Sequence, residues 1–318
     1  MIPVISAYSY VIRGVEYDIP FRESIVSVLP VVDEFVIVSD PRFKDGTIQA
    51  IKDLHSDKIR LVEQELDFSD PGIDGHTKAY ARSLCKSPYL LQMDSDEVFR
   101  PKDLGKIRKL VDNWKSSFIV STGVINWFNG NHFKMSSAGW TKERISINRP
   151  DITHGIPLRS RIQRGSVYYA KSNTDGAGYI DMGGRPLNAD RAIANRMNIT
   201  NDIIWGKDSI WIHHYSWYSL PRKWQMKPTW QFFWGLLYGK YKNLDDYTVS
   251  LDGEDVDFWA TSRCKDLQSY IAPITNEMRE PTIIKPRFIG HPKIMKDWLK
   301  RQLVYNPSKK ELRGGINL

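Results

Sequence analysis

Short apolar runs alternate with helix-patterned stretches through the first third of this chain, and that alternation limits the fold more than any other feature. Pro3–Tyr8, Phe35–Ser39 and Ile59–Glu63 have the length and side-chain content of buried strands. Between them, Pro20–Leu29 sets Phe21, Ile25, Val28 and Leu29 on one helical face, with Pro20 at its start. Thr47–Leu54 reads as a helix that Asp45 or Thr47 could cap, and Thr77–Leu84 as another. In Pro101–Trp114 the residues Leu104, Ile107, Leu110, Val111 and Trp114 again share a face. Strands that alternate with helices in this way predict a mainly parallel central sheet with flanking helices, an α/β fold.

The run that carries chemistry is Tyr89-Leu-Leu-Gln-Met-Asp94-Ser-Asp96-Glu97. It reads as a central strand ending in acids. In an extended chain Asp94 and Asp96 point one way, while Ser95 and Glu97 point the other. Two carboxylates held together repel unless a cation sits between them. Open α/β sheets bind ligands at the carboxyl edge, and hard divalent ions favour carboxylate oxygen. The plainer alternative is an acidic loop after a strand.

Composition narrows the partners. A formal charge of +8 and a pI near 9.2 suit nucleotides, diphosphates, nucleic acid or an anionic membrane surface. The basic residues are scattered, which argues against a nucleic-acid module. Cys85 and Cys264 are the only cysteines and lack metal-ligand spacing, so a reducing compartment is expected, with both thiols as buried filler. The first residues carry no basic n-region, and no apolar run approaches a membrane span. The expected location is cytoplasmic, at most peripheral to a membrane.

Pro20-Phe-Arg-Glu-Ser-Ile25, Val32-Asp-Glu-Phe-Val-Ile-Val-Ser-Asp40 and Asp45-Gly-Thr47 together resemble the nucleotide-binding half of family 2 glycosyltransferases. The resemblance covers roughly residues 3–125. It implies a GT-A fold and an Asp-x-Asp motif at Asp94-Ser95-Asp96, with Mn2+ or Mg2+ as cofactor. Where such enzymes usually show Asp-Asp-Gly-Ser-Thr-Asp-Gly-Thr, this chain has Ser39-Asp40-Pro-Arg-Phe-Lys-Asp45-Gly-Thr47, with one acid missing and one residue extra. Asp40 then resembles the acid that meets the nucleotide base, though a turn cap is the plainer role. Lys78 and Arg82, one helical turn apart, could reach the diphosphate or simply form a solvated basic face. Tyr8 and Asp94 complete the expected nucleotide-sugar site, with Glu97 behind it.

Later signals are sparser. Phe118–Ile125 reads as a strand, and Ile125–His132 as a loop whose aromatics and amides suit sugar or ordinary packing. Trp140–Arg149 resembles the returning strand of these enzymes, where an Arg often lies near the donor phosphates. Ser209–Trp217 is a second apolar strand ending in His213-His214-Tyr215-Ser-Trp217. The resemblance puts His214 ahead of His213 as the third metal ligand, beside Asp94 and Asp96. The resemblance implies a catalytic base between the central sheet and the metal-binding His, here roughly 140–210. Glu143 lies between Lys142 and Arg144, and Asp151 and Asp190 read as turn and cap residues. Asp175 is therefore the choice, with Asp181 in reserve, although Asp175 before Gly176 also suits a turn.

From Pro221 to about Lys242 the pattern is helical and rich in Trp, Phe and Lys, fitting a packed helix or an interfacial one. The expected organisation is a GT-A-type domain over 1–217, split near 125 into nucleotide and acceptor halves, and a C-terminal helical extension over 218–318. The expected activity is inverting, metal-dependent transfer of a sugar from a nucleotide donor to a glycan or lipid-linked acceptor hydroxyl; inversion is implied by the resemblance alone. Metal-dependent nucleotidyl transfer and a non-catalytic nucleotide-binding or nucleic-acid-binding module are the alternatives, and no Gly-x-x-x-x-Gly-Lys loop supports the first of these.

Overall fold

The computed structural model describes residues 4–67, 73–113, 119–128, 132–135, 142–149, 152–154, 179–181, 186–187, 210–219, 222, 283–284, 290–306 and 311–314. The chain divides into two compact units. One comprises Met1–Leu66, Gly72–Val124 and Ser136–His213; the other comprises Asp67–Pro71, Ile125–Met135 and His214–Leu318.

The first unit opens with β1 (Ile5–Tyr10), α1 (Phe21–Val28), β2 (Glu34–Ser39), α2 (Thr47–Lys52), β3 (Ile59–Glu63) and α3 (Ile73–Ser83). It continues through β4 (Tyr89–Gln92), β5 (Glu97–Phe99), α4 (Pro101–Asp112), β6 (Ile119–Phe128) and, beyond β7 (His132–Met135), β8 (Lys142–Ile147). The short strands β9 (Ile152–His154), β10 (Tyr179–Asp181) and β11 (Pro186–Leu187) form a separate antiparallel sheet. Strand β12 (Trp211–Trp217), like β6, contributes residues to both units.

Strands β3, β2, β1 and β4 lie side by side in parallel, as the strand–helix alternation requires. Beyond β4 the sheet turns antiparallel through β8 and β6. Phe35, Val36, Ile37 and Val38 of β2 are all buried, because a parallel strand is covered on both faces. Helix α1 buries Phe21, Ile25 and Val28, and α4 buries Leu104, Ile107 and Val111, with Pro101 at its first position. The i, i+3, i+4 and i+7 spacings put these groups on the stripe that meets the sheet.

Loops are closed by side-chain acids. Asp33 accepts from the backbone N–H groups of Val4 (2.9 Å) and Ile5 (3.1 Å). Asp45 accepts from the N–H groups of Val15, Glu16 and Thr47 and from the Thr47 hydroxyl. Gly46 follows at φ 90°, a left-handed conformation that glycine enters without the Cβ penalty. Cys85 is buried, and burial first of all pushes its thiol up to about 12, which suits packing rather than reactivity. Cys264 lies outside the described residues.

Two sequence expectations shift. The strand beginning at Tyr89 stops at Gln92, and the chain turns, with the Glu97 N–H donating to the Asp94 carbonyl at 3.1 Å. Strand alternation therefore does not apply to the acids. The aromatic stretch after Ile125 stays in β6 as far as Phe128, since β7 pairs with it and takes up its backbone groups.

In the second unit β7 also pairs with β13 (Ile283–Ile284). A 3-10 turn at Lys293–Met295 leads into α5 (Lys296–Arg301), followed by the hairpin β14 (Leu303–Asn306) and β15 (Glu311–Gly314). Rings dominate here. Trp127 and His291 have centroids 3.7 Å apart, and Tyr215 meets Trp298 edge-on at 5.6 Å. Tyr218 lies 5.5 Å from Trp298, and the Tyr215 hydroxyl is 3.0 Å from His291 Nδ1. Arg222 sits 5.7 Å from the Trp298 ring and donates to the Tyr215 carbonyl at 2.7 Å. Most of the stretch expected as a C-terminal helix, residues 221–242, lies outside the described residues. Among the described residues no helix is long and apolar enough to cross a membrane.

Candidate active site

The turn after β4 is the centre of the candidate site. Its geometry follows from one buried guanidinium. Arg144, on β8, is fully buried and reaches across to β4, because β8 runs antiparallel beside it. Its Nε donates to Glu97 Oε2 at 2.8 Å, and its Nη2 donates to Glu97 Oε1 and Asp94 Oδ2, both at 2.6 Å. Its Nη1 donates to Gln92 Oε1. A planar fork that meets two carboxylates and an amide at once fixes the turn.

Two lysines join it. Lys142 Nζ lies 2.8 Å from Glu97 Oε1 and 3.4 Å from Asp94 Oδ2. Lys78 Nζ, on α3, lies 3.2 Å from Asp94 Oδ1 and 3.0 Å from Asp74, which also accepts from the Tyr10 hydroxyl at 2.7 Å. Asp94 Oδ1 further accepts from Gln92 Nε2 at 2.8 Å, and Glu97 Oε2 accepts from the Asp94 N–H at 3.2 Å. Burial opposes the charge on both lysines, yet the carboxylates outweigh it and raise both ammonium groups: Asp74 then Asp94 for Lys78, and Glu97, Asp94 and Asp96 for Lys142. Asp74, Asp94 and Glu97 thus meet three cations, Lys78, Lys142 and Arg144, and the charge of Asp96 acts on Lys142.

Sequence reasoning set Glu97 behind the site and pointing away from Asp96. The turn brings it back, fully buried, onto the Arg144 guanidinium that also holds Asp94. It also missed Lys142 as a partner of the acids. The Lys-x-Arg spacing on a strand paired with the acid-bearing one was the available signal, since alternate residues share a face.

Of the other expected site residues, Asp40 stands at the carboxyl end of β2 and is buried. Arg42 grips it with Nη2 to Oδ2 at 2.5 Å and Nε to Oδ1 at 3.0 Å, and the Leu66 N–H donates to Oδ2 at 2.9 Å. Burial alone would raise its pKa, but the guanidinium and the N–H groups hold it below the usual value. Tyr8 is buried in β1, its carbonyl accepting from the Met93 N–H at 3.0 Å. Arg82 is not brought to Lys78's end of the sheet. It donates to Ser146 Oγ and to the Ile147 carbonyl, both at 2.7 Å, and Ile147 is opposite Tyr89, where β4 begins. His213 is fully buried in β12. His214, in the second unit, has Nδ1 2.7 Å from Asn126 Oδ1. Asp181 belongs to β10, and Asp175 lies outside the described residues.

Among the described residues no group of three His, Cys, Asp or Glu side chains is arranged to hold a metal ion by itself. The donor set of the turn nevertheless fits a hard divalent cation. It is all carboxylate oxygen, and Mg2+-like ions use one or two carboxylates plus substrate phosphates.

Residues 21–169 match the family model described as glycosyl transferase family 2. No curated protein matches the chain. Among solved structures, S. aureus TarS 1–349 is 10% identical, with a TM-score of 0.36 over 72% of this chain and 65% of its own. The same protein in complex with UDP-GlcNAc is 18% identical over 40% of this chain and 35% of its own, with a TM-score of 0.29. The mannosyltransferase PcManGT from Pyrobaculum calidifontis, in complex with GDP-Man and Mn2+, is 18% identical over 38% of this chain and 36% of its own, TM-score 0.29. The chain therefore spans 65% or less of each of these structures. The segment that carries α1 to β8 and the acidic turn, residues 21–169, is thus similar to glycosyl transferase family 2, and it is built on an α/β sheet whose first four strands are parallel.

Proposed function

We propose that this protein transfers a sugar from a nucleotide-sugar donor to an acceptor hydroxyl, with inversion and with a divalent cation, Mn2+ or Mg2+, at the acidic turn. The observation that carries the reading is the cluster of carboxylates in the Asp94–Glu97 turn, just past the carboxyl end of a parallel strand and inside the residues that match glycosyl transferase family 2. Carboxylates repel a diphosphate, and a divalent ion between the two would offset that repulsion. When bound, the cation neutralises charge on the departing nucleoside diphosphate.

The chain's own groups do the rest. Asp96 and Asp94 hold the ion, and Arg144 fixes Asp94 so that its carboxylate does not rearrange during the reaction. Lys78, held by Asp74 and Asp94, adds positive charge at the same end of the sheet. Asp40, with Arg42 across it, faces the nucleobase beside Tyr8. Asn126 Oδ1, 2.7 Å from His214 Nδ1, orients the imidazole. The acceptor's proton passes to a carboxylate, for which Asp175 is proposed and Asp181 is the reserve. The acceptor is a glycan or lipid-linked hydroxyl.

A thermal-shift screen of nucleotide sugars with and without MnCl2 tests this reading. A donor that binds only the native state raises the melting temperature, here only when Mn2+ is also present. With that donor, Asp96→Ala is expected to abolish transfer with little change in melting temperature, and His214→Ala tests the imidazole in the same assay. Unchanged transfer by Asp96→Ala at saturating donor would refute the metal role, and release of pyrophosphate would indicate nucleotidyl transfer instead.

A further inference from the structure

We propose that Tyr10 is a positioning residue for the donor's diphosphate: through Asp74, its hydroxyl sets how far the Lys78 ammonium reaches toward the turn after β4. This rests on the reading of Lys78 as a cation that serves the diphosphate.

Three elements meet at Lys78. Its Nζ lies 3.0 Å from Asp74 Oδ1 and 3.2 Å from Asp94 Oδ1, so two carboxylates hold it almost evenly. Asp74 stands in the first turn of α3, one helical turn before Lys78, where a negative charge suits the helix dipole. Asp94 comes from the turn after β4. Tyr10, the last residue of β1, donates its hydroxyl to Asp74 Oδ1 at 2.7 Å, the same oxygen that meets Lys78. Its ring centroid lies 6.0 Å from Lys78 Nζ.

The Lys78 side chain is only 5% accessible, so its ammonium has little freedom to swing into solvent. Its position is the balance struck between its two acids. An oxygen that also accepts from a hydroxyl holds an ammonium less tightly, because two donors share its lone pairs. Tyr10 therefore weakens the pull of Asp74 and leaves the ammonium nearer Asp94. Without the hydroxyl, Asp74 draws the ammonium back along α3 and away from the turn. A retreat of about 1 Å from a phosphate about 5 Å away is worth a roughly threefold change in affinity at an effective dielectric constant of about 20. A hydroxyl that only tied α3 to β1 would act through the fold, with or without Lys78.

A double-variant cycle separates these two roles. The natural chain, Tyr10→Phe, Lys78→Gln and the double variant are titrated calorimetrically with each of the four common ribonucleoside diphosphates at saturating MnCl2. Phenylalanine keeps the ring, and glutamine keeps a hydrogen-bond donor between the two acids. Tyr10→Phe is expected to weaken the preferred diphosphate about threefold and Lys78→Gln about tenfold, with the double variant no weaker than Lys78→Gln alone. If Lys78→Gln does not fold, Asp74→Asn replaces it as the background, and there too the loss from Tyr10→Phe is expected to vanish. Unchanged or tighter binding by Tyr10→Phe, or a loss that persists in either background, would overturn the relay. Unchanged binding by Lys78→Gln would overturn it as well, and would remove Lys78 from the donor site while leaving the proposed transfer standing. If the natural chain binds none of the four diphosphates with Mn2+, the proposed function itself fails, and the relay with it.

Discussion

The acidic turn of the first unit and the ring cluster of the second each centre on fully buried side chains, Glu97 and Arg144 in one and Trp127, Tyr215 and Trp298 in the other, yet they are held by opposite means. Around Asp94 and Glu97 the partners are three cations and an amide, each meeting a named oxygen. Around Tyr215 the partners are Trp127, Tyr218, His291 and Trp298, meeting as ring faces and edges. Charges in a low-dielectric interior are worth having only while they are matched; losing one strands its partner. Rings lose area in proportion to what is removed, and the remainder can relax. The first arrangement suits a place that must be exact about charge. The second suits a place that only needs to stay filled.

The sharpest way to break this contrast is Arg144→Met. It removes the one group that meets Asp94, Glu97 and Gln92 together, so a loss of about 3–5 kcal/mol is expected in urea unfolding. Adding Glu97→Gln should restore part of that loss, because the stranded charge is then gone. If the double variant is no better than the single one, the turn is not governed by charge matching.

The ring cluster should answer differently. Trp298→Ala removes a fully buried side chain and is expected to cost about 3–4 kcal/mol, while Trp298→Phe recovers most of it with no partner change. A loss in Trp298→Phe as large as in Trp298→Ala would mean that specific ring geometry, or the Arg222 contact 5.7 Å away, dominates over filling.

The smallest effect sharpens the polar side. Asp40's folded pKa lies below its unfolded value, despite burial, because Arg42 and the Leu66 N–H hold the carboxylate. Its stabilisation is therefore complete above the unfolded value, about 3.9, and is lost as pH falls through the lower folded one. Asp40→Asn is expected to cost about 1 kcal/mol near neutral pH, a modest figure because Arg42 is half exposed, with the difference shrinking below about pH 4. A gap that stays constant from pH 7 to pH 3 would show that the carboxylate's charge contributes nothing.

The sequence by itself determined the parallel half of the sheet and the place of the acids. Strand length, helix spacing and breakers are local properties, so β2, β3 and α1 appear within a residue or two of where periodicity put them. That Asp94 lies just past a buried strand followed directly from the apolar run before it. What the acids touch was decided only in three dimensions. Arg144 lies 50 residues from Asp94 and Lys142 lies 48; the Lys-x-Arg spacing puts both on one face of a strand, but only strand pairing brings that face to the turn. The same holds for Lys78 and Arg82. They share a helix, but the length of α3 along the sheet carries Lys78 to Asp94 and Arg82 to the start of β4. It holds too for Glu97, whose direction changed once the strand ended at Gln92 and a turn replaced alternation. Local periodicity sets where an element begins and which face is apolar. Which charges meet is set by strand pairing across long stretches of chain, because Coulomb energy depends on distance in space and on burial, and neither is written along the sequence.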